Sequence, residues 1–173
     1  ITIAKGLTSA YAPLSGSIVS AKMWNVLVQG SDQLGPIGHG WTYSAHPICA
    51  AAGVANLELI DELGLLENAR VTGAWFREAL AEAVGGHANV GDVRGDGLMA
   101  AVELVDDRDD RRFFDTFRKI GPSIVAAMLE RGVIARAMPQ GDIIGFAPPL
   151  CLTREEAEEI VSVTADAVKQ VLG

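Results

Sequence analysis

Apolar and polar positions along the chain switch period several times, and each switch marks an element. Residues 65–84 place Leu66, Ala69, Ala74, Phe76, Leu80 and Ala83 among polar neighbours at helical spacing, and Gly85-Gly86 ends the run. Near the C-terminal end, Thr153 and Glu156 have the spacing of a capping box. Ala157, Ile160, Val161, Ala165, Val168 and Leu172 then form a helical stripe. A third helix starts at His46-Pro47, where proline suits the first helical position. Its residues Ala50, Ala51, Ala52, Val54, Ala55, Leu57, Leu59 and Ile60 leave almost no polar side, which predicts burial on several faces. Pro122 opens a helix bearing Ile124, Val125, Met128 and Leu129, closed by Gly132. Val90–Arg94, Leu98–Val105, Val133–Arg136 and Ile143–Phe146 read as strands.

The first part of the chain is less regular. Ile1–Ala4 is apolar and partly β-branched and reads as the end of a buried strand, stopped by Lys5-Gly6. Ser17–Ser20 reads as a short strand, Ala21–Gln29 as a helix, and Gly30–Ala45 as a long irregular stretch of the functional kind. From about Asn89 the order is β-β-α-β-β-α, a small α+β lobe behind a larger body of which only a part is present. The division expected is 1–64 for the end of that larger domain, 65–88 for a connecting helix and 89–173 for the small domain. Opening directly on an apolar strand, the chain reads as entered mid-fold.

Composition narrows the function classes. In 173 residues, 49% hydrophobic and 21% charged content excludes a disordered chain. A net charge of −8 disfavours binding to a phosphate backbone. No apolar run reaches the ~20 residues of a membrane span, and no signal peptide is visible. Two cysteines, Cys49 and Cys151, have no metal-ligand spacing and make no disulfide scaffold. The expected location is cytoplasmic.

Lys5 is the first candidate for chemistry. A lysine at a strand end either marks where the strand meets water or presents an amine that can form a Schiff base with a carbonyl. Taken alone, Thr42 reads as an ordinary loop or capping hydroxyl, Trp41 as a packed interface aromatic and Arg136 as a surface or interface salt-bridge partner. His39, His46 and His87 lack metal-ligand spacing, and His46 reads as a packed helix-start residue. Asp106–Arg112 reads as a solvated loop, and Gly95-Asp96-Gly97 as a turn.

Three ordered segments lift these alternatives. Ile3-Ala4-Lys5-Gly6-Leu7-Thr8-Ser9-Ala10-Tyr11-Ala12-Pro13-Leu14-Ser15-Gly16 resembles the lysine segment of class III aminotransferases. Gly38-His39-Gly40-Trp41-Thr42-Tyr43-Ser44-Ala45-His46-Pro47 resembles their second signature, and Asp92-Val93-Arg94-Gly95-Asp96-Gly97-Leu98 the start of their C-terminal lobe. The resemblance implies an α/β chain of the fold type I pyridoxal-phosphate-dependent transferases: the end of the large cofactor domain plus the α+β small domain. It implies pyridoxal 5′-phosphate held by Lys5 as a Schiff base, with Lys5 also moving the proton. Thr42 would donate to the cofactor phosphate of the neighbouring subunit, with backbone N–H groups of Gly40–Thr42 adding to the anion cradle, giving a homodimer with shared sites, or a tetramer built on it. Trp41 would line the same composite pocket and contact the substrate. Val133-Ile134-Ala135-Arg136-Ala137-Met138-Pro139, ahead of Phe146-Ala147-Pro148-Pro149, resembles the amine:pyruvate (ω-transaminase) branch. There the arginine binds the substrate carboxylate and swings away from an amine that lacks one, a motion suited by Pro139 and Gly141. The implied reaction moves an amino group from a primary amine or ω-amino acid to pyruvate. Other class III activities, on 4-aminobutyrate, ornithine or diamines, or a semialdehyde aminomutase, are the alternatives. The residues that in this family cup the phosphate from the same subunit, stack on the ring and pair with its nitrogen are not in this sequence. A reading of another class is a non-catalytic α+β module that binds a protein through its alanine-rich helix.

Overall fold

The structure, a computed structural model, describes residues 1–36, 38–139 and 142–173. It divides into two compact units, 1–63 and 64–173.

In the first unit, strand β1 (Thr2–Ile3) pairs antiparallel with β2 (Gly16–Ser17). Ile1 is 87% exposed and Ile3 half-buried, so among the described residues the strand expected to be buried is one half of a two-stranded ribbon with no second layer over it. Helix α1 spans Ala21–Leu34, longer than predicted because Gly30 is accommodated within it. Ser20, expected in a strand, caps this helix: its Oγ accepts the Met23 N–H at 3.3 Å. Helix α2 spans Pro47–Glu62 with proline at its start. The expectation of burial on several faces is not met among the described residues of this unit: only Gly53 of α2 is buried, against Leu14 and the Lys5 turn. Ile48, Val54, Leu57 and Leu59 stay exposed.

The second unit holds a four-stranded antiparallel sheet in the order β3-β4-β6-β5, from β3 (Val90–Asp96), β4 (Met99–Leu104), β5 (Arg136–Ala137) and β6 (Ile143–Phe146). Strict alternation places Ala100, Val102 and Leu104 of β4 on the buried face, with Ile144 and Phe146 of β6 beside them. That face is covered by α3 (Leu65–Val84), α4 (Ile120–Leu129) and α5 (Arg154–Leu172). From α3 come Phe76, Leu80 and Val84, from α4 Ile124 and Met128, and from α5 Ala157, Ala167 and Val168. Helix α3, which the sequence places as a connection between domains, is thus one wall of this core. The capping box forms as predicted, with Thr153 and Glu156 each bonding the other's backbone N–H. The fifth strand is shorter than expected: Val133 N–H still bonds Met128 O at 3.1 Å behind Gly132, so Val133 belongs to the helix end.

Two glycines mark close approaches. Gly73 of α3 lies against the β3–β4 turn, where a Cβ would stand 2.1 Å from the Gly97 carbonyl oxygen. That turn, Gly97 included at φ +52°, is the one predicted from Gly95-Asp96-Gly97. Gly53 of α2 lies against the segment that carries Lys5. No described helix is long and apolar enough to cross a membrane.

Candidate functional site

Strand β1 delivers Lys5 to the first position of a 3₁₀ turn, Lys5–Thr8. Ala4 is still extended, whereas Lys5 has φ +55°, a left-handed conformation that an L-residue adopts only under constraint. Ser9 (φ +49°) and Ala10 (φ +61°) repeat it within the same short segment. Thr8, 3% exposed, ties the far side of the turn through its Oγ1, which donates to Ala12 O at 2.6 Å.

Lys5 borders an open cleft of about 760 Å³. Tyr11, Pro13, Trp41, Tyr43 and His46 line it together with Lys5. Lys5 and Trp41, singled out separately in the sequence, therefore share one cleft. Thr42 is exposed and is not among the residues lining the cleft. Residues 41–44 form a turn in which Trp41 N–H donates to Ser44 Oγ at 3.0 Å and Ser44 N–H to Trp41 O at 2.9 Å. The Trp41 N–H is thus engaged within the turn and not left over for an anion cradle. His46, half-buried at the start of α2, has a buried Nδ1 with no hydrogen-bond partner among the described residues.

A residue the sequence did not single out anchors the lysine turn. Asn56 of α2 donates from Nδ2 to Gly6 O (3.0 Å) and Leu7 O (3.2 Å), and its Oδ1 accepts Ser9 Oγ–H (2.6 Å). The available signal was a lone amide on a helix otherwise apolar almost all round.

Arg136 belongs to the second unit. Cross-strand pairing sets Arg94, Ala101, Gly145 and Arg136 in one row on the open face of the sheet. Because the two middle members are small, a trough of about 710 Å³ lies on this face, walled by Met99, Met138, Pro139 and Ile143 with an arginine on either side. The two arginines differ. Arg94 is bound by Asp92 (2.9 Å) and Glu103 (2.7 Å), which raise its pKa further. No ion pair among the described residues engages Arg136, which is exposed. Gly141, invoked for the swing of Arg136, lies outside the described residues.

The charged loop neutralises itself: Arg112 pairs with Asp106, Asp107 and Asp110, and Arg118 with Asp106.

The family model for class III aminotransferases matches residues 1–168. Diaminobutyrate–2-oxoglutarate transaminase of Halomonas elongata is 58% identical over 171 residues, covering 99% of this chain and 36% of that protein. An uncharacterised aminotransferase of Sinorhizobium fredii is 51% identical, over 99% of this chain and 37% of its own length. Among solved structures, a transaminase from directed evolution by ancestral reconstruction superposes with a TM-score of 0.95 at 62% identity, covering 98% of this chain and 37% of that one. A thermostable (S)-enantioselective ω-transaminase of Thermomicrobium roseum superposes with a TM-score of 0.89 at 38% identity, covering 99% and 37%. The chain thus spans little more than a third of the length of the relatives it matches.

Proposed function

Because the chain belongs to the class III aminotransferase family, we propose that it supplies the reactive lysine and the carboxylate-binding arginine of an enzyme that moves an amino group from a primary amine or ω-amino acid to pyruvate. The observation that carries the reading is Lys5: a primary amine on a left-handed residue, lining a cleft with Tyr11, Trp41 and Tyr43.

The family is pyridoxal-phosphate-dependent, and the cleft fits one end of that cofactor. Lys5 offers the amine that its aldehyde requires, and Tyr11, Trp41 and Tyr43 offer flat apolar surface. Neither a carboxylate for the ring nitrogen nor a second cation for the phosphate lines the cleft among the described residues. The remaining contacts are therefore assigned to other parts of the enzyme. When bound, the cofactor supplies an electron sink for the carbon that loses its proton.

In this reading Lys5 Nζ would hold the cofactor through its amine, and the same nitrogen would take up and return the proton at the substrate carbon. Thr42 Oγ1, exposed and outside its own subunit's cleft lining, is available to a phosphate on the neighbouring subunit, which makes the enzyme a homodimer with shared sites. The exposed apolar residues of α1 and α2, Trp24, Val28, Val54 and Leu57 among them, suit such an assembly.

Arg136 is the carboxylate binder, because its guanidinium is always charged and no carboxylate among the described residues pairs with it. The same trough supports a monocarboxylate acceptor. A second substrate carboxylate requires a second free cation, and Arg94 is already neutralised by Asp92 and Glu103. A second reading, with 2-oxoglutarate as acceptor and a diamine acid as donor, is favoured by the 58% identity to the Halomonas elongata transaminase. Lys5→Ala in the whole enzyme tests the common core of both: loss of amino transfer is expected, and full activity would leave the protein-binding module as the better account.

A further inference from the structure

We propose that Asn56 positions Lys5: from helix α2 it clamps the turn that begins at the lysine and so fixes the path of the amine. The proposal rests on the reading of Lys5 given above.

The turn needs an outside support. Three non-glycine residues between positions 5 and 10 have left-handed φ values, Lys5, Ser9 and Ala10. Such conformations persist only where the surroundings over-determine them. The bonds that the segment makes to itself are partly long: Leu7 N–H to Ala4 O is 3.3 Å and Ala10 N–H to Lys5 O is 3.4 Å. These lie beyond the usual 2.9–3.0 Å of a good N–H···O bond. Lys5 and Gly6 are also exposed among the described residues, so packing within this chain does not hold them.

Asn56 provides that support from fifty positions away in the sequence. An asparagine amide has two N–H groups and one carbonyl oxygen. Here both functions are used on the lysine segment: Nδ2 reaches Gly6 O and Leu7 O, and Oδ1 takes the Ser9 hydroxyl. The two backbone carbonyls, which can only accept, fix which end of the amide is nitrogen. Gly53 lies one helical turn earlier, on the same side of α2. A Cβ there would meet Leu14 Cδ2 at 2.8 Å and Leu7 O at 3.8 Å. Its missing side chain lets the helix come near enough for the short Asn56 side chain to reach. The clamp is uncharged, so it sets geometry without adding a counter-ion beside the amine.

The holoenzyme tests this through Asn56→Leu, which removes all three bonds, and Asn56→Asp, which keeps the acceptor for Ser9 but sets a carboxylate against two carbonyls. Amide hydrogen exchange at Ser9 and Ala10 is expected to quicken about tenfold. The kcat is expected to fall about 10- to 100-fold, as for a displaced reacting group, with KM values within about threefold. The pH midpoint of the bound cofactor's visible absorbance is expected to move, which a merely stabilising residue would not cause. Unchanged exchange, kcat and midpoint in Asn56→Leu would overturn the proposal. Full activity in Lys5→Ala overturns the reading of Lys5 and this proposal with it. An inactive Lys5→Ala beside an unaltered Asn56→Leu overturns the proposal alone. Should Asn56→Leu fail to fold, Ser9→Ala takes its place: a smaller change in the same direction supports the clamp, and none overturns it.

Discussion

Arg94 Nη2 and Glu103 Oε2 stand 2.7 Å apart across strands β3 and β4, and this pair decides how many free cations line the trough beside Arg136. Replacing Glu103 by glutamine leaves Arg94 with the exposed Asp92 as its remaining acidic partner. Glu103→Gln is therefore expected to raise kcat/KM for a dicarboxylic 2-oxo acid relative to pyruvate by a few-fold, roughly 1 kcal/mol of added ion-pair energy. An unchanged ratio would show that Arg94 does not face the acceptor.

Arg136 carries the complementary prediction. A bidentate charge-assisted contact contributes about 1.5–3 kcal/mol. Arg136→Ala is expected to lower kcat/KM for pyruvate and alanine about 10- to 100-fold while sparing an amine without a carboxylate. Steady-state kinetics on both substrates check it, and equal losses would remove Arg136 from carboxylate binding.

Gly73 is a packing prediction independent of chemistry. A Cβ at this position would fall 2.1 Å from Gly97 O, a backbone atom that cannot rotate away. Gly73→Ala is expected to cost about 2–3 kcal/mol as α3 is forced off the β3–β4 turn. Denaturant unfolding of the second unit's helices, followed by circular dichroism, measures it.

The charged loop gives a pH prediction. The Asp110 N–H, 3.0 Å from Asp107 Oδ1, is the largest cause holding the Asp107 carboxyl below its ordinary value, with the Asp109 N–H and Arg112 adding to it. A depressed folded-state pKa stabilises the fold above the unfolded value of about 3.9 and ceases to do so as pH falls through the folded value. Protection of the Asp110 amide, its exchange relative to an unstructured peptide at the same pH, is therefore expected to fall as the pH drops below about 4. In Asp107→Asn, which accepts the same bond without titrating, that change is expected to vanish.

Much of the second unit was legible in the sequence. Helices α3 and α5 have a 3.6-residue stripe against a polar face, and the Thr153–Glu156 box fixes where α5 starts. Strand β6 matches its predicted bounds because alternation and Pro148-Pro149 define it. Strand β5 was misjudged because Val133 is as apolar in a helix return as in a strand, and only its bond to Met128 O tells them apart. In the first unit, α2 has no polar side from which to predict a facing direction. For the site, Lys5 and Trp41 were found through local motifs, and the structure adds that they line one cleft. The left-handed turn at Lys5 was not legible, since none of Lys5, Ser9 and Ala10 is a residue type that signals positive φ. Nor was Asn56, whose contacts join positions fifty residues apart.

The central claim is that Lys5 is the amine that holds the cofactor. Borohydride reduction of the whole enzyme followed by peptide mapping tests it most directly, because reduction fixes a carbon–nitrogen double bond to the residue that bears it. The account predicts a stable pyridoxyl adduct on Lys5 and loss of the yellow colour in Lys5→Ala. An adduct on Lys22 or any other lysine, with Lys5 unmodified, would contradict it.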